Sequence, residues 1–322
     1  MKTLNQIRQP IHDEINRFEP FFRNQLRSNI PLLSLILNYI LRYKGKQIRP
    51  LFVFLSAQLC GKINSSTYTA ATLVELLHTA TLIHDDVVDH SYLRRGVFSI
   101  HALWHSKIAV LVGDYLLAKG LLIALENNEY SMLKIISTAV KDMSEGELLQ
   151  VKANRNNTIS EEIYFEIISK KTASLIAACT SCGALSSNAT PNTIDQMYRF
   201  GLYIGIAFQI KDDLLDFTGT NITGKPKGND IKNKKLTLPL IYALKKSNKN
   251  KAAEIIRAIN QKQIKKYTSI VNFVKESGGI DYANYQMNNY KEKALTELNT
   301  FPDSPVKTSL HDLVDFVINR NH

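Results

Sequence analysis

Apolar side chains recur along most of this chain at the three- and four-residue spacing of amphipathic helices. In the first 27 residues the spacing is carried by Leu4, Ile7, Ile11, Ile15, Phe18, Phe22 and Leu26. Glycine, proline or paired asparagine interrupts this spacing at several points. The spacing between these breaks predicts helices over 3–27, 31–43, 66–89, 107–126, 130–154, 160–187 and 191–217, and another that begins at Arg49-Pro50. The tail, 236–320, is predicted to be helical with breaks at Asn248–Asn250, Gly278–Gly279 and Phe301–Pro302. No stretch shows the two-residue alternation of a strand, so we predict an all-α protein.

Length and composition favour one large domain. The chain has 322 residues, 44% of them hydrophobic, and no change in composition marks a boundary, so 1–322 is predicted to be a single domain. Three cysteines are too few for a disulfide framework, and Cys179 and Cys182 lie in an apolar run that indicates core packing. The first residues lack the apolar segment of a signal peptide, and by this reading no run reaches the roughly 18 apolar residues that span a bilayer. We therefore expect a cytoplasmic protein.

The positive charge alone does not identify a partner. A formal charge of +11 is compatible with binding to nucleic acid, a membrane surface or anionic small molecules. The lysines are concentrated in 225–251 and 262–266 and are not interleaved with aromatic residues as in a nucleic-acid platform. We interpret most of them as a solvated surface and expect no nucleic-acid partner.

Candidate chemistry is concentrated in the stretch LIHDDVVDHSYLRRG, residues 82–96. In a helix, Asp85 and Asp89 stand at positions i and i+4 and share one face. Two acids on one face repel each other unless a cation lies between them, and a hard divalent ion with oxygen ligands, such as Mg²⁺, fits that need. Arg94 and Arg95 follow with planar guanidinium groups suited to phosphate oxygens. A solvated helix end with surface charges is the simpler alternative for this stretch alone.

The same pattern returns near the end of a second long helix, in FQIKDDLLDFTGT, residues 208–220. Asp212, Asp213 and Asp216 repeat the spacing of the first three acids, and a basic, glycine-containing loop, GKPKG, follows. That loop lacks the GxxxxGK[ST] pattern of a nucleotide-binding P-loop. Two such motifs are far more specific than one, and facing each other they could hold divalent ions and a diphosphate.

Three further features are candidates for the same site. Lys46 and Arg49 are predicted at a loop-to-helix junction, where free backbone N–H groups favour an anion, although two surface bases beside a turn are the simpler interpretation. His78 lies two turns before Asp85 on the same face, where a phosphate-binding role competes with that of a core histidine. Gly146, in MSEGELLQ, would let another helix approach closely.

The two acid motifs together resemble the aspartate-rich motifs of the trans-polyprenyl (isoprenyl) diphosphate synthases. GKQIRP is similar to that family's GKRxRP, with Gln47 where an arginine is usual. SKKTASL resembles its KT motif, and GKPKGNDIKNKKLTLP resembles its GKxxGxD…GKxTLP segment, with Lys234 in place of a glycine. The resemblance covers most of the chain. It implies a single-domain bundle of long antiparallel helices around a central apolar cavity, and a homodimer.

The resemblance also implies a reaction and its residues. Three Mg²⁺ ions, which Mn²⁺ can replace, would bind an allylic diphosphate through Asp85, Asp89 and Asp212, with Asp216 as a further candidate ligand and Asp86 and Asp213 in outer-shell positions. The remaining phosphate charge would be taken by Arg94, Lys171, Thr172, Gln209, Lys225 and Lys235. Isopentenyl diphosphate would bind Lys46, Arg49, His78 and Arg95, and its double bond would attack the allylic carbon. Asp85, Asp89, Lys171 and Asp212 are therefore the candidate catalytic residues.

The product of such an enzyme would be set by the helix before the first acids. Short-chain members of the family usually carry an aromatic residue at one of the positions occupied here by Ala80 and Thr81, both small. The next aromatic residue is Tyr68, about 25 Å away at 1.5 Å per residue, which we predict to be the floor of the groove. We therefore expect a product of about C30 to C40, of the quinone side-chain type, from a farnesyl or geranylgeranyl primer, with transient contact to a membrane for release.

Three alternatives remain open. A short-chain farnesyl or geranylgeranyl diphosphate synthase would share all these motifs. A non-catalytic helical subunit of a heteromeric synthase is disfavoured because both acid motifs are intact. A terpene cyclase is disfavoured because its second motif, (N/D)Dxx(S/T)xxxE, is not matched where Asp216 and Thr220 stand.

Overall fold

The computed structural model describes residues 2–43, 45–156, 160–218, 235–261 and 267–318. Within them the helices are α1 (Leu4–Ile7), α2 (His12–Gln25), α3 (Pro31–Arg42), α4 (Ile48–Cys60), α5 (Ser65–Val88), α6 (Ile100–Glu126), α7 (Tyr130–Asn156), α8 (Glu161–Ile168), α9 (Ser174–Ser186), α10 (Pro191–Thr218), α11 (Leu238–Lys246), α12 (Lys249–Asn260), α13 (Tyr267–Glu276), α14 (Gly279–Asn299) and α15 (Pro305–Ile318). The predicted all-α class is confirmed. The loop GKPKG, with Lys225, and Lys234 lie outside the described residues.

One short hairpin departs from the all-helical pattern. Strand β1 (Leu93–Arg94) pairs antiparallel with β2 (Val97–Phe98). The turn between them has positive φ at Arg95 (54°) and Gly96 (79°), the combination of a two-residue type I′ hairpin turn. Strands of two residues are too short to produce a visible alternation, which is why the sequence pattern did not predict them.

Two predicted helices are interrupted. The segment 3–27 is broken by a 3₁₀ turn at Gln9–Ile11, where Pro10 lacks the N–H that a continuous helix would use. The segment 160–187 is broken by a π-helical turn, Ser169–Ala173, that carries Lys171 and Thr172. Single π turns inside α-helices are often found at functional sites, and this one presents both predicted phosphate-binding residues.

Helix α5 carries the first acid motif and is buried along most of its length. Its main neighbours are α6, α4 and α9. Helices α9, α10 and α14 continue the packing, and the buried apolar side chains from Ile7 to Ile318 form one continuous cluster. The two acid-bearing helix ends are thereby held by a single core. The domain boundary itself stays a prediction.

The expectation that no segment is long and apolar enough to span a bilayer is wrong for helix α6. Its 27 residues meet that criterion by length and composition alone. One side of the helix is buried against α5, where Gly113 lies beside His84 and Gly120 beside Leu73. A helix with a packed side of this kind belongs to the core of the fold, and its other side is discussed below.

Gly146 has the close-packing role that was predicted. A Cβ atom on it would lie 2.7 Å from the backbone nitrogen of Lys171 and 3.0 Å from the Cβ of Lys170. Helix α7 can therefore approach the π-helical turn only because this residue has no side chain.

We predict that Gly146→Ala lowers the free energy of unfolding by about 1–3 kcal/mol, the usual cost of overpacking. Gly120→Ala is the matched control, because its Cβ would meet Leu73 at an ordinary 3.7 Å. That change should be neutral or stabilising by up to about 1 kcal/mol, since alanine is the better helix former. Urea denaturation of both variants measures the difference, and equal midpoints would contradict this account of Gly146.

Candidate active site

In the first acid motif the outer and middle carboxylates have different surroundings. Asp85 and Asp89 are exposed at the end of α5, whereas Asp86 is only 2% exposed. The Nε of Arg94 donates to both oxygens of Asp86 at 2.9 Å, and Nη2 donates to Oδ1 at 2.7 Å. Strand β1 supplies this arginine, so the hairpin is tied to the motif. The structure thus pairs Arg94 with the buried acid; its predicted contact with a diphosphate stays a prediction.

The second motif has the same division. Asp213 is 3% exposed, whereas Asp212 and Asp216 are partly exposed. Tyr164 on α8 donates its hydroxyl to Oδ2 of Asp213 at 2.7 Å, and Gln209 donates its amide to Oδ1 at 3.0 Å. The middle acid of each motif is therefore held inside the protein, and the outer two face more open space.

Lys171 relates the two motifs. Its Nζ donates to Gln150 Oε1 at 2.8 Å and forms an ion pair with Glu147, both on α7. Burial raises the pKa of Asp85, and the positive charge of Lys171 opposes that rise. Lys171 also lines a cleft of about 430 Å³ together with Asp213. A cation that acts on the first motif and shares a cleft with the second indicates one common site.

That cleft collects most of the predicted allylic-diphosphate residues. Thr172 donates its hydroxyl to Gln209 Oε1 at 2.8 Å, so the two predicted contacts are linked to each other. Lys235 lines the same cleft. Lys225 lies outside the described residues and cannot be placed. Gln150 and Tyr164 also line the cleft, and no sequence motif had indicated them.

A second cleft, of about 720 Å³, lies between α3, α5 and the hairpin. Its polar end contains Glu75, His78, Asp86, Arg94 and Arg95, and its remaining lining is largely apolar and aromatic. Glu75, which the sequence analysis did not single out, raises the pKa values of Arg49 and Arg95 against the lowering caused by their burial. The negative charge of this buried carboxylate therefore favours the charged state of both arginines.

Of the four residues predicted to bind isopentenyl diphosphate, three lie close together and the fourth does not. His78 and Arg95 share the larger cleft. Arg49 lies near both, since its charge lowers the pKa of His78, and its Nε is buried with no hydrogen-bond partner among the described residues. Lys46 is exposed, with Nζ 5.7 Å from the ring centre of Phe316. The structure thus brings three of the four together and places the lysine at the surface.

The loop before α4 makes room for one of these arginines. A Cβ on Gly45 would lie 2.5 Å from Cζ of Arg95, so the guanidinium packs directly on this glycine. Gln47 follows with a positive φ of 50°, a strained conformation for a residue with a side chain. The GKQIRP segment therefore has a conformational role in addition to its charges.

The acids suit Mg²⁺ that is shared with a diphosphate. In the part of the chain that the structure describes, no three histidine, cysteine or acidic side chains converge as a complete metal site. Mg²⁺ is commonly held by one or two carboxylates together with substrate phosphates and water. The pair Asp85 and Asp89 and the pair Asp212 and Asp216 fit that partial role.

Comparison with known proteins identifies the family. The model of the polyprenyl synthetase family matches residues 30–274. The chain belongs to the polyprenyl synthetase family. As a family member it is a prenyltransferase, and the fold predicted from the motifs is confirmed.

Three relatives show how far the similarity extends. The chain is 36% identical over 310 residues to heptaprenyl diphosphate synthase component 2 of Bacillus subtilis, covering 95% of this chain and 88% of that protein. A polyprenyl synthase from Caulobacter crescentus, solved with calcium and isoprenyl diphosphate, superposes with a TM-score of 0.90 at 32% identity, covering 99% and 98%. A geranylgeranyl pyrophosphate synthase from Bacteroides thetaiotaomicron gives 0.82 at 36% identity, covering 98% and 99%. The similarity therefore runs through the whole chain.

The positions predicted to set chain length differ in burial. Ala80 is fully buried, whereas Thr81, one turn before Asp85, is partly exposed. The role of Tyr68 as the floor of a groove that starts at Asp85 stays a prediction. Tyr68 lies about 100° around the helix from that acid. Its ring packs against Phe18, Phe21 and Phe54, with ring centres 5.2–6.3 Å away.

The environment of His78 predicts a pH-dependent stability. Burial, reinforced by Arg49, Arg95 and Arg94, lowers the pKa of His78 well below its ordinary value, so the folded chain keeps it neutral. In the unfolded chain it takes up a proton below pH about 6.5. The unfolded state then binds more protons, and stability falls with falling pH.

Between pH 8 and 5.5 this linkage amounts to roughly 1 kcal/mol. We predict that His78→Gln loses that much less stability than the wild type over this range, measured by urea denaturation. The surface variant His12→Gln is the matched control. An unchanged pH dependence in His78→Gln would refute the neutral, buried state of this histidine.

Proposed function

We propose that this polyprenyl synthetase condenses isopentenyl diphosphate with a farnesyl or geranylgeranyl diphosphate primer to give a long-chain all-trans product and diphosphate. The observation that carries the proposal is the placement of Lys171, which acts on Asp85 and lines a cleft with Asp213. The Caulobacter relative with calcium and isoprenyl diphosphate supports a divalent ion and this substrate class. Asp85, Asp89, Asp212 and Asp216 would hold Mg²⁺, which neutralises phosphate charge when bound.

The residues of the smaller cleft suit the allylic diphosphate. Lys171, Thr172 and Gln209 supply a fixed cation and polar donors, and Gln150 and Glu147 hold the ammonium group in place. Negative charge on the leaving diphosphate grows as the C–O bond breaks. Fixed donors and cations therefore stabilise the transition state more than the bound substrate.

Isopentenyl diphosphate is assigned to the polar end of the larger cleft. Arg49 and Arg95 would carry the charge, and neutral His78 would donate a hydrogen bond. The double bond then attacks the allylic carbon, a new C–C bond forms, and a proton leaves, taken by the departing diphosphate. Apolar walls exclude water, which would otherwise trap the cation.

The proposed product length rests on the lack of an aromatic residue at positions 80 and 81. The named relatives make a heptaprenyl and a geranylgeranyl product, so similarity alone allows both a long and a short chain. The small side chains Ala80 and Thr81 favour the longer product, about C30 to C40. We assign the enzyme to the cytoplasm, with release of this apolar product at a membrane surface.

The test is incubation of the purified chain with farnesyl diphosphate, isopentenyl diphosphate and Mg²⁺, followed by chromatographic sizing of the product. We expect a ladder ending near C30 to C40. Thr81→Phe should shorten it to about C20, because the ring would fill the groove one turn from Asp85. Ala80→Phe is less suitable, since Ala80 is fully buried and a ring there would overpack the core.

Thr138→Phe, an exposed site on α7, is the control and should keep the wild-type length. No turnover by the chain alone would favour the alternative of a subunit that needs a partner; the Bacillus relative is named as one component. A wild-type product of C15 or C20 would instead identify a short-chain synthase.

A homodimer is supported by the outer side of α6. Five apolar residues there are exposed beyond His105, whose non-helical backbone kinks the helix: Val110, Leu111, Leu121, Leu122 and Leu125. They run along a helical segment about 30 Å long. Contiguous apolar surface of this extent is unusual on a monomer and typical of a protein interface. A second copy of the chain would cover it by presenting the same helix.

We predict that the double change Leu111→Asp with Leu121→Asp converts the dimer to a monomer in size-exclusion chromatography with light scattering. Two carboxylates without partners are too costly to bury in an apolar interface. Tyr285→Asp, at an equally exposed apolar site on α14, should leave the dimer intact. A wild-type chain that elutes as a monomer would remove this part of the proposal.

A further inference from the structure

Tyr164 lies outside both acid motifs but contacts one of them. It is on α8 and is 4% exposed, and its hydroxyl donates to Oδ2 of Asp213 at 2.7 Å. The other carboxylate oxygen of Asp213 accepts from Gln209, which in turn accepts from Thr172. A continuous chain of hydrogen bonds therefore joins α8, α10 and the π-helical turn.

The hydrogen bond from Tyr164 reduces the cost of burying the Asp213 carboxylate. A buried carboxylate without donors is costly, so Asp213 must be held from inside the protein. In the first motif, Asp86 is held by the guanidinium of Arg94. In the second, a phenol and an amide are two of the donors, and each reaches a different oxygen. Each of these two bonds restrains one oxygen of the Asp213 carboxylate, and together they restrain its plane.

We propose that Tyr164 is a positioning residue that orients the second acid motif toward the metal-bound allylic diphosphate. Asp213 directly follows Asp212 and precedes Asp216 by one helical turn, so the hold on its carboxylate fixes the rotation of this part of α10. Gln209, a predicted diphosphate contact, is fixed by the same network. This inference rests on the proposed function, since it assumes that the allylic diphosphate binds in the smaller cleft.

Tyr164 should affect the binding of the allylic substrate and not that of isopentenyl diphosphate. Tyr164 lines the cleft that contains Lys171, Thr172 and Lys235. It does not line the cleft of His78 and Arg95, the assigned site of isopentenyl diphosphate. Loss of its hydroxyl should therefore weaken binding of the Mg²⁺-dependent allylic ligand and leave the other substrate unaffected. A purely structural role would lower stability and affect both substrates alike.

The experiment measures binding of farnesyl thiodiphosphate, an unreactive allylic analogue, by calorimetry with and without Mg²⁺. In Tyr164→Phe we expect the Mg²⁺-dependent affinity to fall about tenfold, as is typical when a residue that orients metal ligands is changed. The KM for isopentenyl diphosphate should stay within about twofold of wild type. The apparent Mg²⁺ requirement for turnover should rise in parallel.

Tyr282→Phe is the matched control. The Tyr282 hydroxyl, on α14, also donates to a carboxylate, that of Glu161 on α8, the helix of Tyr164. The Tyr282 ring stacks on Tyr242 with ring centres 4.1 Å apart. Removal of the hydroxyl should leave the affinity for the analogue at the wild-type value. Melting temperatures of both variants without ligand record any general loss of stability.

Asp213→Asn tests the same bond from the acceptor side, with Tyr164 retained. If the bond carries the effect, the losses of analogue affinity in Tyr164→Phe and Asp213→Asn should not add in the double variant. Additive losses, an unchanged analogue affinity in Tyr164→Phe, or an equal rise in both KM values would each overturn the proposal. If Tyr164→Phe does not fold, an unchanged analogue affinity in Asp213→Asn overturns it. Absence of turnover in the wild type would instead refute the proposed function.

Discussion

The main physical constraint on this structure is the repulsion among carboxylates at the ends of two helices, which cations must offset. Both acid motifs occupy the last turns of a long helix, where the helix dipole adds partial negative charge. Like charges at such a helix end destabilise the fold unless cations offset them. Arg94 and Lys171 supply part of the offset from the protein. Cations from outside the protein can offset the remaining negative charge, and Mg²⁺ bound together with diphosphate has the chemistry to do so.

Each motif divides its acids between two tasks. The middle residue, Asp86 or Asp213, is buried and satisfied by internal donors, which fixes the helix end. The outer residues remain more exposed to solvent. The spacing DDxxD produces this division because positions i and i+4 share a helix face while position i+1 lies about 100° away. The motif therefore contains its own anchor as well as its candidate metal ligands.

The polar groups around the two motifs are also held before any substrate arrives. Lys171 is held by Glu147 and Gln150, and a glycine at position 146 allows α7 to approach closely enough for this. The charge of Glu75 favours the charged state of the nearby arginines, and burial beside them lowers the pKa of His78 and favours its neutral state. Such preorganisation lowers the cost of reorientation during the reaction, which is a main source of electrostatic catalysis.

The sequence by itself determined the helical class, most helix positions and which acids are candidates for the chemistry, because periodicity and the i, i+4 spacing are local properties. Only the tertiary structure decided what surrounds those acids. Tyr164, Gln150 and Glu75 belong to no local motif and become functional candidates through contacts between distant helices. For Tyr68, spacing along the helix specified only a distance from Asp85, and tertiary packing places its ring against Phe18 and Phe54. A linear spacing specifies which residues share a face, whereas the neighbours of that face are set by the packing of the whole chain.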